Sequence, residues 1–380
     1  RCAQNPETHL VTSTPLPPFF RAPIGPLELH YNLTQYATVY QLAEDQYIPG
    51  NLLIAVNSAL GSTDGVNVNV SWVAGDDSFP GYKEGNGTEA MFRTIRSFEQ
   101  WNRTHVLVVD EWNHCLRWVE REGENATSVF AGMCERMGEK DGYIEEAEFY
   151  QPTDIAINRA KKFVYVSDFK KGKVRMIDLY TNYIHTIFEG GNRSYPMGLA
   201  LDARMNNLWI TLSHGIKSLD VISGGGVINV TKQESGRNTS ITSPISETQW
   251  QFPDKIIRLA PDLYAVADRS NRRIGLVDNS VNTVSSICAR ITRKIEYTVY
   301  ANSTNCELYN PHGLAFIGTT LYIGTQKSIA KIQLDISAEI PSQPDSVTVP
   351  GKGLANVIIH NVNIYHFLST LMPVVMKKRC

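Results

Sequence analysis

Residues capable of acid–base or metal chemistry occur at one repeated position in the sequence. Short apolar segments such as PTDIAI at 152, PDKIIRL at 253 and PHGLAFIG at 311 each begin with proline followed by a different side chain. Aligned copies place five residues at this position, with Asp154 directly behind: Arg96, Thr153, Met197, Asp254 and His312. A metal centre needs three or four converging His, Asp or Cys side chains, and this set offers one imidazole and one or two carboxylates. We therefore predict no metal or other cofactor, and we expect His312 to be a structural residue bonded to a neighbouring strand.

The elements that would position these residues are copies of one hairpin. The segment VLVVDEWNHCLRWVE recurs with its spacing kept, in full at 106–120, 164–178, 263–278 and 321–335, shortened at 208–220, and weakly near 51–65. Each copy alternates β-branched or aromatic residues with polar ones around a tight turn, which predicts two strands. A buried strand precedes most copies and a fourth strand follows each. Six such units predict an all-β, six-bladed β-propeller with four antiparallel strands per blade.

The propeller is expected to span residues 31–351, between two segments that match no blade. Residues 1–30 carry six prolines and suit an extended arm, and residues 352–380 form an apolar tail. The segment SVTVPG at 346–351 is the expected fourth strand of the last blade, so that ring closure would use no N-terminal strand. The inner strands of a propeller begin at the mouth of its central channel. The aligned set is therefore a set of channel-mouth candidates: Arg96, Thr153, Asp154, Met197, Asp254 and His312.

The segment at 130–178 resembles the NHL repeat. The pattern of that repeat is an apolar-Ala-Gly start, a Gly-rich loop with Asp-Gly, Phe and Pro, and then an Asp-x-x-Asn-His hairpin. This hairpin form is intact in the chain only at Asp110, Asn113 and His114, and in part at Asp268 and Asn271. The resemblance covers about residues 36–351 and implies a six-bladed propeller, whereas NHL propellers include enzymes, receptors and scaffolds. Similarity to the peptidylglycine α-amidating lyase, another propeller of this family, implies catalytic zinc held by histidines. Only His312 matches those ligands, so zinc lyase activity is not expected.

The sequence also predicts an extracellular location. Nine Asn-x-Ser/Thr sequons, more than chance would give, are candidate glycosylation sites for N-linked glycans: Asn32, Asn69, Asn86, Asn102, Asn125, Asn192, Asn229, Asn238 and Asn302. The 36 basic and 38 acidic side chains nearly cancel, which disfavours nucleic acid as a partner. The apolar tail is interrupted by Asn, His and Pro residues and is a poor membrane span.

Six cysteines and no C-x-x-C pair favour disulfides over zinc or redox sites. Cys115 and Cys134 would close a loop within the second blade, and Cys288 and Cys306 would bracket the join between the fifth and sixth blades. Cys2 and Cys380 lie in the two terminal segments. They could pair within one chain, or they could link neighbouring chains.

Together these patterns predict a secreted glycoprotein that serves as a structural or interaction module and is not an enzyme. No Gly-x-Ser-x-Gly elbow or convergent set identifies a catalytic residue. Its expected partners are proteins, including copies of itself that join head to tail through the two terminal segments into an extracellular fibre or coat. Two alternatives stay open: the ligand-binding ectodomain of a receptor, and an extracellular lyase or hydrolase that uses the channel mouth.

Overall fold

The computed structural model describes residues 28–29, 37–64, 70–191, 194–223, 226–231, 242–287, 308–326 and 328–334. Their strands form six separate antiparallel sheets arranged as a six-bladed β-propeller, which confirms the predicted fold class. All of these strands belong to one compact unit, Ala22–Leu334. Within these ranges no helix has the length and apolar character needed to cross a membrane.

The first three blades follow the sequence repeats in order. Blade 1 contains β2 (Val39–Glu44), β3 (Leu52–Val56), β4 (Ala59–Thr63) and β5 (Ser71–Gly75), after a two-residue β1 (Glu28–Leu29). Blade 2 contains β6 (Ile95–Gln100), β7 (His105–Asp110), β8 (Cys115–Glu120) and β9 (Thr127–Ala131). Blade 3 contains β11 (Pro152–Asn158), β12 (Phe163–Asp168), β13 (Lys173–Asp178) and β14 (Tyr183–Glu189), with β10 (Gly142–Tyr143) as a fifth, outermost strand.

The last three blades complete the ring. Blade 4 contains β15 (Leu199–Leu201), β16 (Asn207–Leu212), β17 (Gly215–Asp220) and β18 (Val227–Asn229). Blade 5 contains β20 (Pro253–Ala260), β21 (Leu263–Asp268), β22 (Arg273–Asp278) and β23 (Thr283–Ile287), with β19 (Thr242–Pro244) outermost. Blade 6 contains β24 (Leu314–Ile317), β25 (Thr320–Gly324) and β26 (Ile329–Gln333). Within the described ranges, short 3-10 turns lie at Gly87–Glu89, Glu111–Asn113, Phe169–Lys171 and Ile245–Glu247.

Ring closure differs from the expectation. β1 pairs antiparallel with β26, with Glu28 opposite Lys331 and Leu29 opposite Ala330. An N-terminal strand therefore supplies the outermost strand of blade 6, and the expectation that closure uses no N-terminal strand is wrong. The segment 346–351, which we expected in this place, lies outside the described residues. β1 is too short to carry an alternating pattern, which is why the sequence did not reveal it.

The hydrophobic core lies between neighbouring blades. Leu53 of blade 1 and Val108 of blade 2 belong to one buried cluster, and Val109 of blade 2 and Val166 of blade 3 belong to the next. The two faces of a middle strand therefore pack into different clusters, so that both faces are buried. This explains why the sequence of β7 is almost continuously apolar. Blades 1 to 4 each share a buried cluster with both of their neighbours.

Three hairpins share a buried aspartate at the end of their second strand. We call Asp110, Asp168 and Asp268 the hairpin aspartates; all three are 0% exposed. One carboxylate oxygen of each accepts a bond from the backbone N–H of a residue just ahead of the inner strand of the same blade, at Arg93 (3.0 Å), Tyr150 (2.7 Å) and Gln251 (2.9 Å). The aspartate thereby fixes where the inner strand begins.

The other oxygen of each hairpin aspartate accepts a bond from a buried arginine on the third strand. The donors are Arg117 Nη1 at 3.2 Å, Arg175 Nη1 at 3.0 Å and Arg273 Nε at 2.8 Å. Each guanidinium also donates to main-chain carbonyls of the loop that enters the blade and lies over an aromatic ring, that of Phe92, Phe149 or Trp250. A buried charge is tolerated when it is paired and hydrogen-bonded in this way.

The predicted Cys115–Cys134 disulfide is confirmed and joins β8 to the segment after β9, 19 residues apart. Cys2, Cys288, Cys306 and Cys380 lie outside the described part of the chain, so their pairing stays a prediction.

Replacing Arg175 by Met should lower the free energy of unfolding by about 3–5 kcal/mol, because Asp168 would be left buried without its cation. Lys217 occupies the matching position in blade 4, where Leu212 stands in place of the aspartate. It is the control, and Lys217→Met should lower the free energy of unfolding by less than about 1 kcal/mol. Urea unfolding of both variants measures the difference. Equal effects of the two substitutions would contradict the role given to the hairpin aspartates.

Replacing Cys115 and Cys134 together by Ala should destabilise the protein by roughly 3 kcal/mol, the loop-entropy value for a crosslink of this length. The unfolding midpoint of the oxidised wild type, compared with that of the double variant, measures this effect. An unchanged midpoint would show that the crosslink adds nothing to stability.

Candidate functional site

The mouth of the central channel is built from irregularities at the start of the inner strands. In blades 1, 2, 3 and 5 the pairing with the second strand shifts register there, between Val39 and Gln41, Ile95 and Ser97, Pro152 and Ile155, and Pro253 and Ile256. A bulge leaves residues unpaired and redirects their side chains. Residues at these shifts line the cavity at the mouth: Tyr40, Arg96, Thr153, Asp154, Asp254 and Lys255.

One residue from each blade forms what we call the first ring: Tyr40, Arg96, Thr153, Met197, Asp254 and His312. The next residue of each inner strand belongs to a second ring, of which Ser97, Asp154 and Lys255 line the same cavity. The glycines of the second ring allow neighbouring strands to approach, since a Cβ on Gly198 would lie 2.5 Å from the carbonyl oxygen of Asp254. The free volume between the lining side chains is ≈ 10 Å³, which is room for about one water molecule.

Asp254 connects three blades at the mouth. Arg96 Nη2 of blade 2 donates to one of its oxygens, and His312 Nδ1 of blade 6 donates to the other. Arg269 Nη1 lies 4.0 Å from the oxygen that His312 contacts. Because blades 2 and 5 are three blades apart in a ring of six, the Arg96–Asp254 ion pair crosses the channel.

A second polar network lies directly behind the first. Lys255 Nζ and Ser97 Oγ both donate to Asp154 Oδ1, each at 2.6 Å. The backbone N–H of Leu199 donates to the other oxygen at 2.8 Å. Residues of blades 2, 3, 4 and 5 thus meet at one carboxylate. The two networks together fill the channel entrance with paired charges.

An outer ring, which we call the tip ring, surrounds this entrance. Each hairpin contributes one residue to it, either the first or the second residue after the end of its second strand. Its members are Ser58, Glu111, Phe169, His214, Arg269 and Gln326. Glu111 Oε2 lies 3.8 Å from Arg96 Nε, and the exposed fractions of the Glu111 and Arg269 side chains are 14% and 30%. The tip ring is therefore the part of the site that a molecule arriving from solvent would contact first.

Burial and neighbouring charges shift the pKa values of the mouth residues in different directions. Burial alone would raise the pKa of Asp254, but Arg96 and the bond from His312 outweigh it and hold that pKa well below its usual range. Burial lowers the pKa of His312, and Asp254 opposes this only in part. Burial raises the pKa of Glu111 to about 7, with Arg96 opposing it. At neutral pH the mouth thus combines a carboxylate, a neutral imidazole and a half-ionised glutamate.

Aromatic rings surround the charged entrance. The guanidinium carbon of Arg96 lies 4.7 Å from the centroid of the Tyr40 ring, and Tyr40 meets His312 edge to face at 5.2 Å. At the tip ring, Phe169 packs against Tyr195 at 5.0 Å, and His214 packs against Phe252 at 5.6 Å. These last four rings are partly exposed, so the rim offers apolar faces beside its charges.

The arrangement can perform proton transfer or ligand recognition. Asp254 orients the His312 imidazole through Nδ1, and Nε2 has no hydrogen-bond partner among the described residues. A neutral imidazole held this way can accept a proton. In the part of the chain that the structure describes, no group of three or more His, Cys, Asp or Glu side chains is placed to hold a metal ion.

All six channel-mouth candidates named from the sequence line this one cavity. The expectation that His312 bonds to a neighbouring strand matches its contact with Asp254 of blade 5, whereas a functional role for the set stays a prediction. Tyr40 was missed because blade 1 lacks the proline that marks the inner strands of blades 3 to 6. Glu111 and Arg269 were missed because they belong to the hairpins, but each directly follows a hairpin aspartate, which was a usable signal.

The described sequons lie away from the mouth. Asn102 is in the turn between β6 and β7, Asn125 is in the turn between β8 and β9, and Asn86 pairs with Ala126 beside it. These positions are at the strand ends opposite the tip ring. Asn229 lies in β18, the outermost described strand of blade 4, and is exposed. The remaining five sequons, at Asn32, Asn69, Asn192, Asn238 and Asn302, fall outside the described residues.

Comparison with solved structures supports the propeller fold. An auxiliary nutrient binding protein from Bacteroides thetaiotaomicron matches with a TM-score of 0.59 at 12% identity, over 79% of this chain and 69% of that one. A putative gluconolactonase matches with a TM-score of 0.54 at 11% identity, over 84% and 95%. A gluconolactonase from Xanthomonas campestris matches with a TM-score of 0.51 at 11% identity, over 85% and 99%. No family model and no curated protein sequence matches the chain.

These matches correct one expectation from the sequence. We expected that the chain is not an enzyme, yet two of the solved propellers that share its fold are gluconolactonases, one of them putative. At 11% identity such likeness shows the fold alone. The fold is therefore compatible with both binding proteins and enzymes, and the lack of a recognisable catalytic motif in the sequence does not separate them.

Replacing Asp254 by Asn should lower the pKa of His312 further below 6.5, because the carboxylate that favours the imidazolium would be lost. NMR titration of the His312 ring measures the shift. Asp262→Asn, an exposed change in the same blade at the far end of its strands, is the control and should leave the titration unchanged. An unaltered His312 titration in folded Asp254→Asn would contradict the pairing.

Proposed function

We propose that this chain is a secreted, N-glycosylated propeller that binds a ligand at the channel mouth. The observation that carries the proposal is the convergence of first-ring residues from all six blades on one cavity. Strongly shifted pKa values next to that cavity, at Asp254 and Glu111, support it, since such groups cluster at functional sites. Pockets at the mouths of closed β architectures are common ligand sites.

Secretion is supported by the disulfide and by the placement of the sequons. Cys115–Cys134 is a disulfide of the kind that persists in oxidising compartments. Asn86, Asn102 and Asn229 are exposed, so each can carry a glycan on the folded surface. Because Asn86, Asn102 and Asn125 lie at the far ends of the strands, glycans there would leave the mouth open to a ligand.

Two further proposals come from the sequence. The NHL-type assignment is supported by Asn113 and Asn271, each of which donates from Nδ2 to its hairpin aspartate, at 2.8 and 2.9 Å. Head-to-tail assembly with copies of itself, or with other proteins, would use residues 1–30 and 352–380. Apart from Glu28–Leu29, these segments are outside the described residues, and non-reducing electrophoresis of native material is the test.

A thermal-shift screen of the secreted, glycosylated chain against a broad set of metabolites tests ligand binding. Hits that bind at the mouth should lose most of their effect in Arg269→Glu, which reverses a partly exposed charge of the tip ring. Arg258→Glu, at the other end of the same blade, is the matched control and should keep the hits. A screen in which every hit survives Arg269→Glu, or in which nothing binds, would overturn the proposal.

A second candidate function, lyase or hydrolase activity, is favoured by the Asp254–His312 pair. His312 would accept a proton from the substrate or from a water molecule through Nε2, and Asp254 would stabilise the resulting imidazolium. His312 is only 7% exposed, so a substrate must displace neighbouring first-ring side chains to reach it. Hydrolysis of gluconolactone by the wild type, abolished in folded His312→Gln, would support this candidate, and activity that survives His312→Gln would exclude His312 as the base.

A further inference from the structure

We infer that the mouth ligand is an organic anion built on a ring, whose carboxylate contacts Lys170 and Arg269 while the ring packs on the aromatic rim. This inference rests on the ligand-binding function proposed above and adds the chemical class of the ligand. Its basis is the charge that remains at the tip ring after the internal ion pairs are formed.

The buried carboxylates at the mouth are already occupied. Asp254 accepts bonds on both oxygens, from Arg96 and His312. Asp154 likewise accepts bonds on both oxygens, from Ser97, Lys255 and the Leu199 backbone. Neither is free to bind a cation or a neutral donor from a ligand without breaking a buried pair, which is costly. Recognition of a cationic ligand by these acids is therefore disfavoured.

Two cations at the rim donate no hydrogen bond to a carboxylate of the described residues. Lys170 is exposed, and no carboxylate of the described residues lies within 4 Å of its ammonium group. Arg269 is 30% exposed and only reaches the edge of ion-pair distance, 4.0 Å, from Asp254. The two come from blades 3 and 5, on either side of blade 4. Lys170 directly follows Phe169, the tip-ring residue of blade 3, and Arg269 is the tip-ring residue of blade 5, 4.0 Å from Asp254. Both cations therefore flank the same entrance.

Aromatic side chains accompany both cations. Lys170 Nζ lies 5.2 Å from the Phe169 centroid, and the guanidinium carbon of Arg269 lies 5.6 Å from the Phe252 centroid. Tyr195 and His214 pack on these rings and are partly exposed themselves. A ring-shaped ligand can lie on such faces while its charged group reaches a cation. Because the space below holds about one water, the ligand lies over the entrance and does not enter the channel.

Glu111 opposes an anion at this place. The charged and titratable groups that act on it are Arg96, Asp254, Arg269 and Lys170, and His312 bonds to Asp254 beside them. Burial raises the pKa of Glu111 to about 7, so this side chain loses its negative charge as the pH falls from 8 to 6. An anionic ligand should therefore bind more tightly at pH 6 than at pH 8, whereas a neutral ligand should not.

Matched probes test the class of ligand on the secreted full chain. Glucuronate is compared with glucose, and benzoate with benzyl alcohol, by NMR titration or calorimetry at low salt. In each comparison the acid carries both the carboxylate and the ring, and the neutral analogue keeps only the ring. The two comparisons together distinguish an acidic sugar from an aromatic acid. We expect at least one acid to bind tenfold or more tightly than its neutral analogue, with affinity falling as salt is added.

Variants locate the binding. Lys170→Gln and Arg269→Gln should each lower the affinity for the acidic probe by about tenfold, which is the effect expected from losing one charge-assisted contact. Lys161→Gln and Arg258→Gln, exposed residues at the far ends of the same two blades, should leave it unchanged. Glu111→Gln should tighten binding at pH 8 and remove most of its pH dependence.

The outcomes separate this inference from the function it rests on. Neutral probes that bind as well as the acids, and lose binding in Arg269→Gln, would overturn the anion inference and leave a ligand site at the mouth. Acids that bind equally to wild type and to both cation variants would overturn the inference by placing the anion elsewhere. Failure of every probe would also overturn it, and the metabolite screen would then decide alone whether the mouth binds a ligand.

Discussion

The rest of the structure depends on the buried pair between a hairpin aspartate and the arginine of the next strand. In blades 2, 3 and 5 this pair ties three pieces of chain together: the hairpin end, the loop entering the blade and the first backbone N–H groups ahead of the inner strand. The residue after the aspartate belongs to the tip ring, and the inner strand that the aspartate anchors carries the first-ring residue. In these three blades one buried carboxylate thus positions the residues of both layers of the candidate site.

The charges at the mouth have two consequences for function. Arg96 and Asp254 join opposite sides of the ring, and Lys255 and Asp154 add a second link, so the channel entrance is closed by paired groups. In our proposal recognition therefore falls to the rim, where Arg269 of the tip ring is partly exposed and Lys170, next to Phe169, is exposed. The same pairing orients His312 with one nitrogen unpartnered, which is the geometry required for proton transfer. This arrangement is compatible with both binding and catalysis. A ligand that only binds can lie over the first ring, whereas a substrate must displace first-ring side chains to reach His312.

Much of the fold and part of the site could be predicted from the sequence. The hairpin repeat carries strong alternation and a fixed spacing, so the number of blades and their middle strands followed from it. The proline-led segments gave four first-ring positions, and alignment of the second hairpin copy gave Arg96 as the fifth. Tyr40 was missed because Val39 stands where blades 3 to 6 have proline and because the hairpin of blade 1 matches the repeat only weakly. The prediction of how the ring closes was wrong because the closing strand, Glu28–Leu29, has only two residues and its partner strand lies about 300 residues away. A local sequence pattern does not reveal such a pairing. The tip ring emerges only when six hairpins are brought together, and its charges therefore required the structure.

The most direct test of the account is a crystal structure of the full chain soaked with glucuronate at pH 6. The account predicts the carboxylate within hydrogen-bond distance of Lys170 and Arg269, the sugar ring against Phe169 or Phe252, and an intact Arg96–Asp254 pair below it. Density for the sugar at another surface, or an unoccupied mouth at saturating ligand, would contradict the assignment of this entrance as an anion site.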